Sequence, residues 1–162
     1  MNPAPKLLSA SVFPLILLVL VGTTLTGCGG GPDRDVAVTL YNGGQGVPLY
    51  VANDAKLLTG APKDFQQYMA RAVRSAIESD DGTCNEPPVY SVTAIANTGH
   101  ATGELSHCGV KRIFWVRKSG EWIKIWSGTG VPPCADLKRN KVPNGLTGTR
   151  CTADGSTHVY TG

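Results

Sequence analysis

A chain of 162 residues with a formal net charge of +3 has room for one domain around a single core, and 17% charged residues carry no cationic surplus of the kind a nucleic-acid partner needs. No nucleophile, base or metal-ligand set has a recognisable spacing, so no enzyme, catalytic residue, cofactor or metal centre is expected. Gly128 and Gly130 have the spacing of a phosphate loop, but no GK[ST] follows them.

The first element is an export signal. Lys6 is the only side-chain charge ahead of the apolar stretch from Val12 to Leu25, which contains Pro14. The stretch is short for a spanning helix, and no Lys or Arg flank follows it. It ends in Leu25-Thr26-Gly27-Cys28: an apolar residue, two small ones and a cysteine. This run resembles the lipobox of bacterial lipoproteins. The resemblance is confined to the N-terminal segment. It implies cleavage before Cys28, a diacylglyceryl group on the Cys28 sulfur, and an extracytoplasmic domain held at the cell membrane by several acyl chains, where one alone would not anchor stably. An ordinary secretory signal that happens to end in cysteine is the alternative. Residues 1–27 therefore read as signal peptide, 28–35 as lipidated cysteine and Gly-rich flexible tether, and 36–162 as a single domain. The tether reaches at most about 25 Å, so the domain sits close to the lipid surface. The Gly-rich end of the lipobox and the cysteine count suit an actinobacterial source.

Val36 to Tyr41 and Val47 to Val51 have strand-like composition around Asn42-Gly43-Gly44, and Pro48 makes the second an edge strand. Asn53 to Lys63 reads as a loop. Asp64 and Gln67 have capping-box spacing, so a helix is expected from Phe65 to about Ser79. Phe65, Met69, Ala72, Val73 and Ala76 then share its apolar face, and Asp80-Asp81-Gly82 ends it. Such a helix needs a sheet to pack on.

Four strands supply one: Val89 to Asn97, His100 to Cys108, Lys111 to Lys118 and Glu121 to Ser127. If each junction is a two-residue turn, one row across the sheet reads Thr93, Glu104, Trp115, Lys124. One face then collects Tyr90, Val92, Ala94, Ala96, Ala101, Gly103, Leu105, Phe114, Val116, Ile123 and Ile125, and the helix covers it. The other collects Ser91, Thr93, Ile95, Thr102, Glu104, Ser106, Ile113, Trp115, Arg117, Trp122, Lys124 and Trp126. The expected fold is α+β: one helix packed on a four-stranded antiparallel meander with an N-terminal edge strand. The element order resembles cystatin-like folds, but neither an inhibitory loop motif nor a catalytic set carries over.

Cys84, Cys108, Cys134 and Cys151 make an even count in an exported domain, which favours two disulfides. The assumed register sets Cys108 opposite Val89, and Pro87-Pro88 lets the chain turn, so Cys84 reaches Cys108 and Cys134 pairs with Cys151. A zinc site or catalytic thiol is the alternative, though no CxxC is present. After the sheet comes a short helical turn around Ala135 to Arg139. The rest reads as loop, ordered by the second disulfide.

The candidate site is the second sheet face. Trp115, Trp122 and Trp126 alternate there with Arg117 and Lys124, beside Glu104, a pattern suited to an envelope protein, a glycan or anionic lipid. The alternative is that the N-terminal strands or the C-terminal loop cover these rings. Glu104 beside Lys124 reads as a cross-strand ion pair. His100, Glu104 and His107 do not share one face of a strand, which argues against a metal site. From Cys28 to Gly99 five Lys and Arg stand against eight Asp and Glu; from His100 onward nine stand against four. The basic half attracts anionic lipid or an acidic partner. The function expected is a membrane-anchored, non-enzymatic binding or adaptor domain. The second reading is a small-molecule or lipid carrier with its pocket between helix and sheet, where Ala94, Ala96 and Gly103 leave space.

Overall fold

The computed structural model describes residues 36–147 and 150–162. The expected signal peptide, Cys28 and the expected tether lie outside the described residues. Two short strands, β1 (Val38–Leu40) and β2 (Val47–Leu49), precede a 3-10 helix (Ala52–Leu57) and helix α1 (Lys63–Glu78). The meander follows as β3 (Val89–Ala96), β4 (His100–Ser106), β5 (Val110–Lys118) and β6 (Glu121–Gly128). Then come α2 (Cys134–Arg139), α3 (Asn144–Thr147) and a hairpin of β7 (Arg150–Ala153) with β8 (Ser156–Val159). The architecture is α+β, a mainly antiparallel sheet with a helix on it. Its order is β1-β3-β4-β5-β6, with β2 also on β3.

β1 and β2 lie end to end along β3, Val38 opposite Ala96 and Leu49 opposite Tyr90. Pro48 is tolerated because β2 has one paired neighbour. The segment expected as loop before α1 contains the 3-10 helix. α1 begins at Lys63, with Pro62 just outside its first turn, so the helix starts before the capping pair predicted at Asp64. The Asp64 carboxylate instead accepts the Phe65 N–H at 2.9 Å. As expected, Phe65, Met69 and Val73 form the buried stripe.

The turns depart from the assumed register in two places. Ala96 faces His100, which leaves Asn97, Thr98 and Gly99 as a three-residue loop with Gly99 at φ 78°. Ser106 faces Val110, which leaves His107, Cys108 and Gly109 as another. Of the three turns joining β3 to β6, only Ser119-Gly120 is a two-residue turn, with both residues at positive φ as a type I′ turn requires. Glu104 therefore pairs with Ser91 and Arg112 rather than with Thr93 and Trp115, while Trp115 does face Lys124. One added loop residue exchanges the faces of everything beyond it. Two bulges, at Thr93 in β3 and at Ile125 in β6, change the phase again within those strands.

The sheet is thereby buried on both sides. On the α1 side Phe65, Met69 and Val73 meet Val92, Ile95, Ala101, Ile113, Trp115 and Trp122. Gly103 is essential here, because a Cβ would strike the Ser91 carbonyl and lie 3.0 Å from the Trp115 rim. On the other side Ala94, Ala96 and Phe114 meet Leu137, Val142, Leu146, Cys151 and Tyr160, with Ile125 and Trp126 packed alongside. The C-terminal run expected as loop is thus a second covering layer, and the Tyr160 hydroxyl donates to the Val142 carbonyl at 2.9 Å.

Both disulfides form as paired in the sequence reading. Cys84 and Cys108 have Cα atoms 5.4 Å apart, and Cys134 and Cys151 4.8 Å apart. Cys108 reaches its partner from the β4–β5 loop, since Val89 faces Ser106.

Candidate binding surfaces

The face exchange decides the fate of the tryptophans. Trp115, Trp122, Arg117 and Lys124 do share one side of the sheet, but it is the side that α1 covers. Trp115 is 1% exposed and Trp122 5%, with Phe65 ring centroids 6.0 and 4.5 Å away. Burial pushes the Tyr68 pKa up, with Tyr90 adding to the rise and the Trp115 indole and Arg71 acting the other way. Trp126 is on the opposite side, half-buried 5.9 Å from Phe114, because the bulge at Ile125 turns both residues into the second core. The open tryptophan face expected from the sequence is therefore corrected to two cores. Glu104 sits opposite Arg112 and has no ion pair with Lys124 among the described residues. The space expected between helix and sheet is corrected too: Ala94 and Ala96 belong to the other side, and Trp115 occupies the room beside Gly103.

Several open places remain among the described residues, one of them beside Glu104 and Arg112. At one end of the domain the chain enters from its N-terminal side. Ala37 accepts from the Asn97 N–H at 2.9 Å and donates to the Asn97 side chain at 3.1 Å. Beside it the Arg117 N–H donates to the Gly99 carbonyl at 2.7 Å, and the Arg117 guanidinium Nε lies 2.7 Å from Asp64 Oδ2. A groove of about 420 Å³ opens here between Thr39, Pro62, Thr98, Arg117 and Trp122. Lys63 and Lys118 are neighbours of the Asp64–Arg117 pair, both exposed.

His100 joins the C-terminal layer to this same end. Its Nδ1 accepts from the Thr98 hydroxyl at 3.0 Å and its Nε2 donates to the Asn140 carbonyl at 2.8 Å, which brings Lys141 alongside. Burial lowers the His100 pKa, against the weaker upward pull of the backbone at Asn140 and Thr98.

The opposite end is acidic. Asp80 lies 3.2 Å from His107 Nε2, next to the Cys84–Cys108 bridge. Hydrogen bonds from Thr83 hold the Asp81 carboxyl below its ordinary range. Potential ligand atoms of Cys84, His107 and Cys108 come within 4.8 Å of one another, but both sulfurs are bound in the disulfide and offer no thiolate.

A further open place is a groove of about 500 Å³ between the 3-10 helix and the outer side of α1. Lys63, Ala70 and Arg74 line it from the helix, and Ala52, Ala55 and Lys56 from the other wall. The sequence holds a signal for it: positions 63, 70 and 74 are seven and four residues apart, one helical stripe. Reading the helix for its buried face alone passes over that stripe.

No family model, no curated protein and no solved structure matches this chain.

Proposed function

We propose that this chain is a lipid-anchored extracytoplasmic protein that works by binding rather than catalysis, with its N-terminal end set against an anionic membrane surface. The observation that carries this reading is the alignment of charge with the point where the chain enters the domain. Ala37 lies beside Asn97, at the end that bears Lys63, Arg117, Lys118 and Lys141 against Asp64 and Glu121. Glu78, Asp80 and Asp81 gather at the far end, around the C-terminus of α1 and the Cys84–Cys108 bridge. A tether attached at the basic end turns that end toward the lipid it is attached to. Each cation near an anionic leaflet contributes about 1 kcal/mol, and salt screens the attraction within about 10 Å. Such weak surface attraction suffices for orientation once a lipid on Cys28 holds the domain nearby.

The anchor is tested by the mass of the mature N-terminal peptide from isolated envelopes. A diacylglyceryl group on Cys28, and release of Cys28→Ser from the membrane, are the expected results; an unmodified thiol overturns the anchor. Orientation is tested by acetylation of lysines on the full chain in bilayers. Lys63, Lys118 and Lys141 should react more slowly in anionic than in zwitterionic bilayers, with Lys111 unchanged at the far end. Equal protection of all four overturns the orientation.

A further inference from the structure

We propose that the groove between the 3-10 helix and α1 binds a single-chain anionic amphiphile: an acyl tail ending in a carboxylate or phosphate. Its volume of about 500 Å³ falls within the range of small-molecule sites, about 300–1,000 Å³. Its walls combine small apolar side chains, Ala52, Ala55 and Ala70, with the cations Lys56, Lys63 and Arg74. No carboxylate lines it among the described residues.

Two carboxylates on the flanking elements have partners of their own, and a third, Glu78, follows Arg74 by one helical turn. Asp54, on the 3-10 helix, accepts the Tyr50 and Val51 N–H groups at 2.8 and 3.0 Å. Asp64, on α1, holds Arg117. Gln66 is tied down as well, its amide donating to the Leu58 carbonyl at 2.9 Å, which braces the segment between the two walls. The lining therefore carries three cations and no carboxylate, with small apolar side chains between them and the amides of Asn53, Gln66 and Gln67 alongside. Lys63 and Arg74 are eleven residues apart on the helix, so the walls run for about 16 Å, room for an extended chain rather than a compact solute. Tyr50, Val51 and Leu57, all exposed, continue the apolar surface next to the groove. The carrier reading thereby moves from the helix–sheet interface, which Trp115 fills, to the outer side of the helix.

The groove stands on its own geometry; only the membrane as the source of the amphiphile rests on the anchored reading. The experiment separates the two. Isolated envelopes containing the full chain are photolysed with a diazirine fatty acid, and in parallel with the corresponding uncharged fatty alcohol, and the cross-linked peptides are mapped. The acid should label the 52–56 and 63–74 segments and the alcohol should label them weakly. Lys56→Glu with Arg74→Glu should lower labelling by about fivefold or more for each cation lost. Ala70→Trp, which fills the floor without touching charge, should lower it too in a protein that retains both disulfides and protease resistance. Labels spread over other surfaces, equal labelling by the alcohol, or folded variants labelled like the parent would overturn the proposal. An unacylated Cys28 peptide beside a labelled groove would remove the anchor and leave the groove standing.

Discussion

The two sides of the sheet are covered by different means. On the α1 side one continuous amphipathic helix of 16 residues lays Phe65, Met69 and Val73 against Trp115 and Trp122. On the other side the cover is assembled from pieces of six residues or fewer, α2, α3 and the β7–β8 hairpin, held by Cys134–Cys151 and the His100–Asn140 bond. A long helix brings its own backbone hydrogen bonds and a ready apolar stripe. Short pieces must be fixed to one another before they can bury anything, so a covalent link and a few side-chain bonds substitute for periodicity.

The largest effect should come from the α1 side. Trp115→Ala is expected to cost about 3–5 kcal/mol in chemical denaturation, because α1 cannot collapse into the space left by a buried indole. A loss below about 1 kcal/mol would mean that this side is not the main core. Replacing Cys134 and Cys151 together by serine should cost somewhat less, about 3 kcal/mol for a separation of 17 residues. Its mark should be local: hydrogen exchange should rise across 134–160 while β3 to β5 stay protected. Uniform loss across the sheet would erase the distinction between the two sides.

Smaller effects sharpen it. Burial lowers the His100 pKa, so the neutral ring is the folded form and the unfolded chain takes up the proton first. The stabilisation is whole above the unfolded value of about 6.5 and is lost as pH falls through the lowered folded value. The difference in stability between the parent and His100→Gln should shrink over that window, with exchange rising first around Asn140. The least effect is expected at Arg117: its pair with Asp64 is partly exposed, and Arg117→Ala should cost no more than about 1 kcal/mol.

The periodic elements were readable in the residues. The α1 stripe, four strands and both disulfide pairings follow from spacing, and Ser119-Gly120 was rightly read as a two-residue turn. The misreadings have one physical origin. A glycine at positive φ marks a turn but does not say whether it is the second residue of two or the third of three, and Gly99 is the third. At the next junction the sequence reading makes Gly109 the first residue of a Gly109-Val110 turn, whereas it is the third of His107-Cys108-Gly109, and that difference carries Trp115 from the expected open face into the core. The second covering layer escaped because Leu137, Val142, Leu146 and Tyr160 are spaced with no fixed period, and only a tertiary surface makes them neighbours. The cationic groove escaped for a different reason: half of its lining comes from the 3-10 helix, which carries no amphipathic signature.

The extra residue at Ile125 has an effect beyond where it sends Trp126. Among the described residues β6 has a single paired neighbour, so its outer backbone groups form an eight-residue ledge open to pairing with another chain. A bulge breaks the even spacing of those groups and twists the strand, while Glu121 and Lys124 stand exposed along it. The irregularity that gives the second core its indole thus also guards the protein against pairing with its own copies.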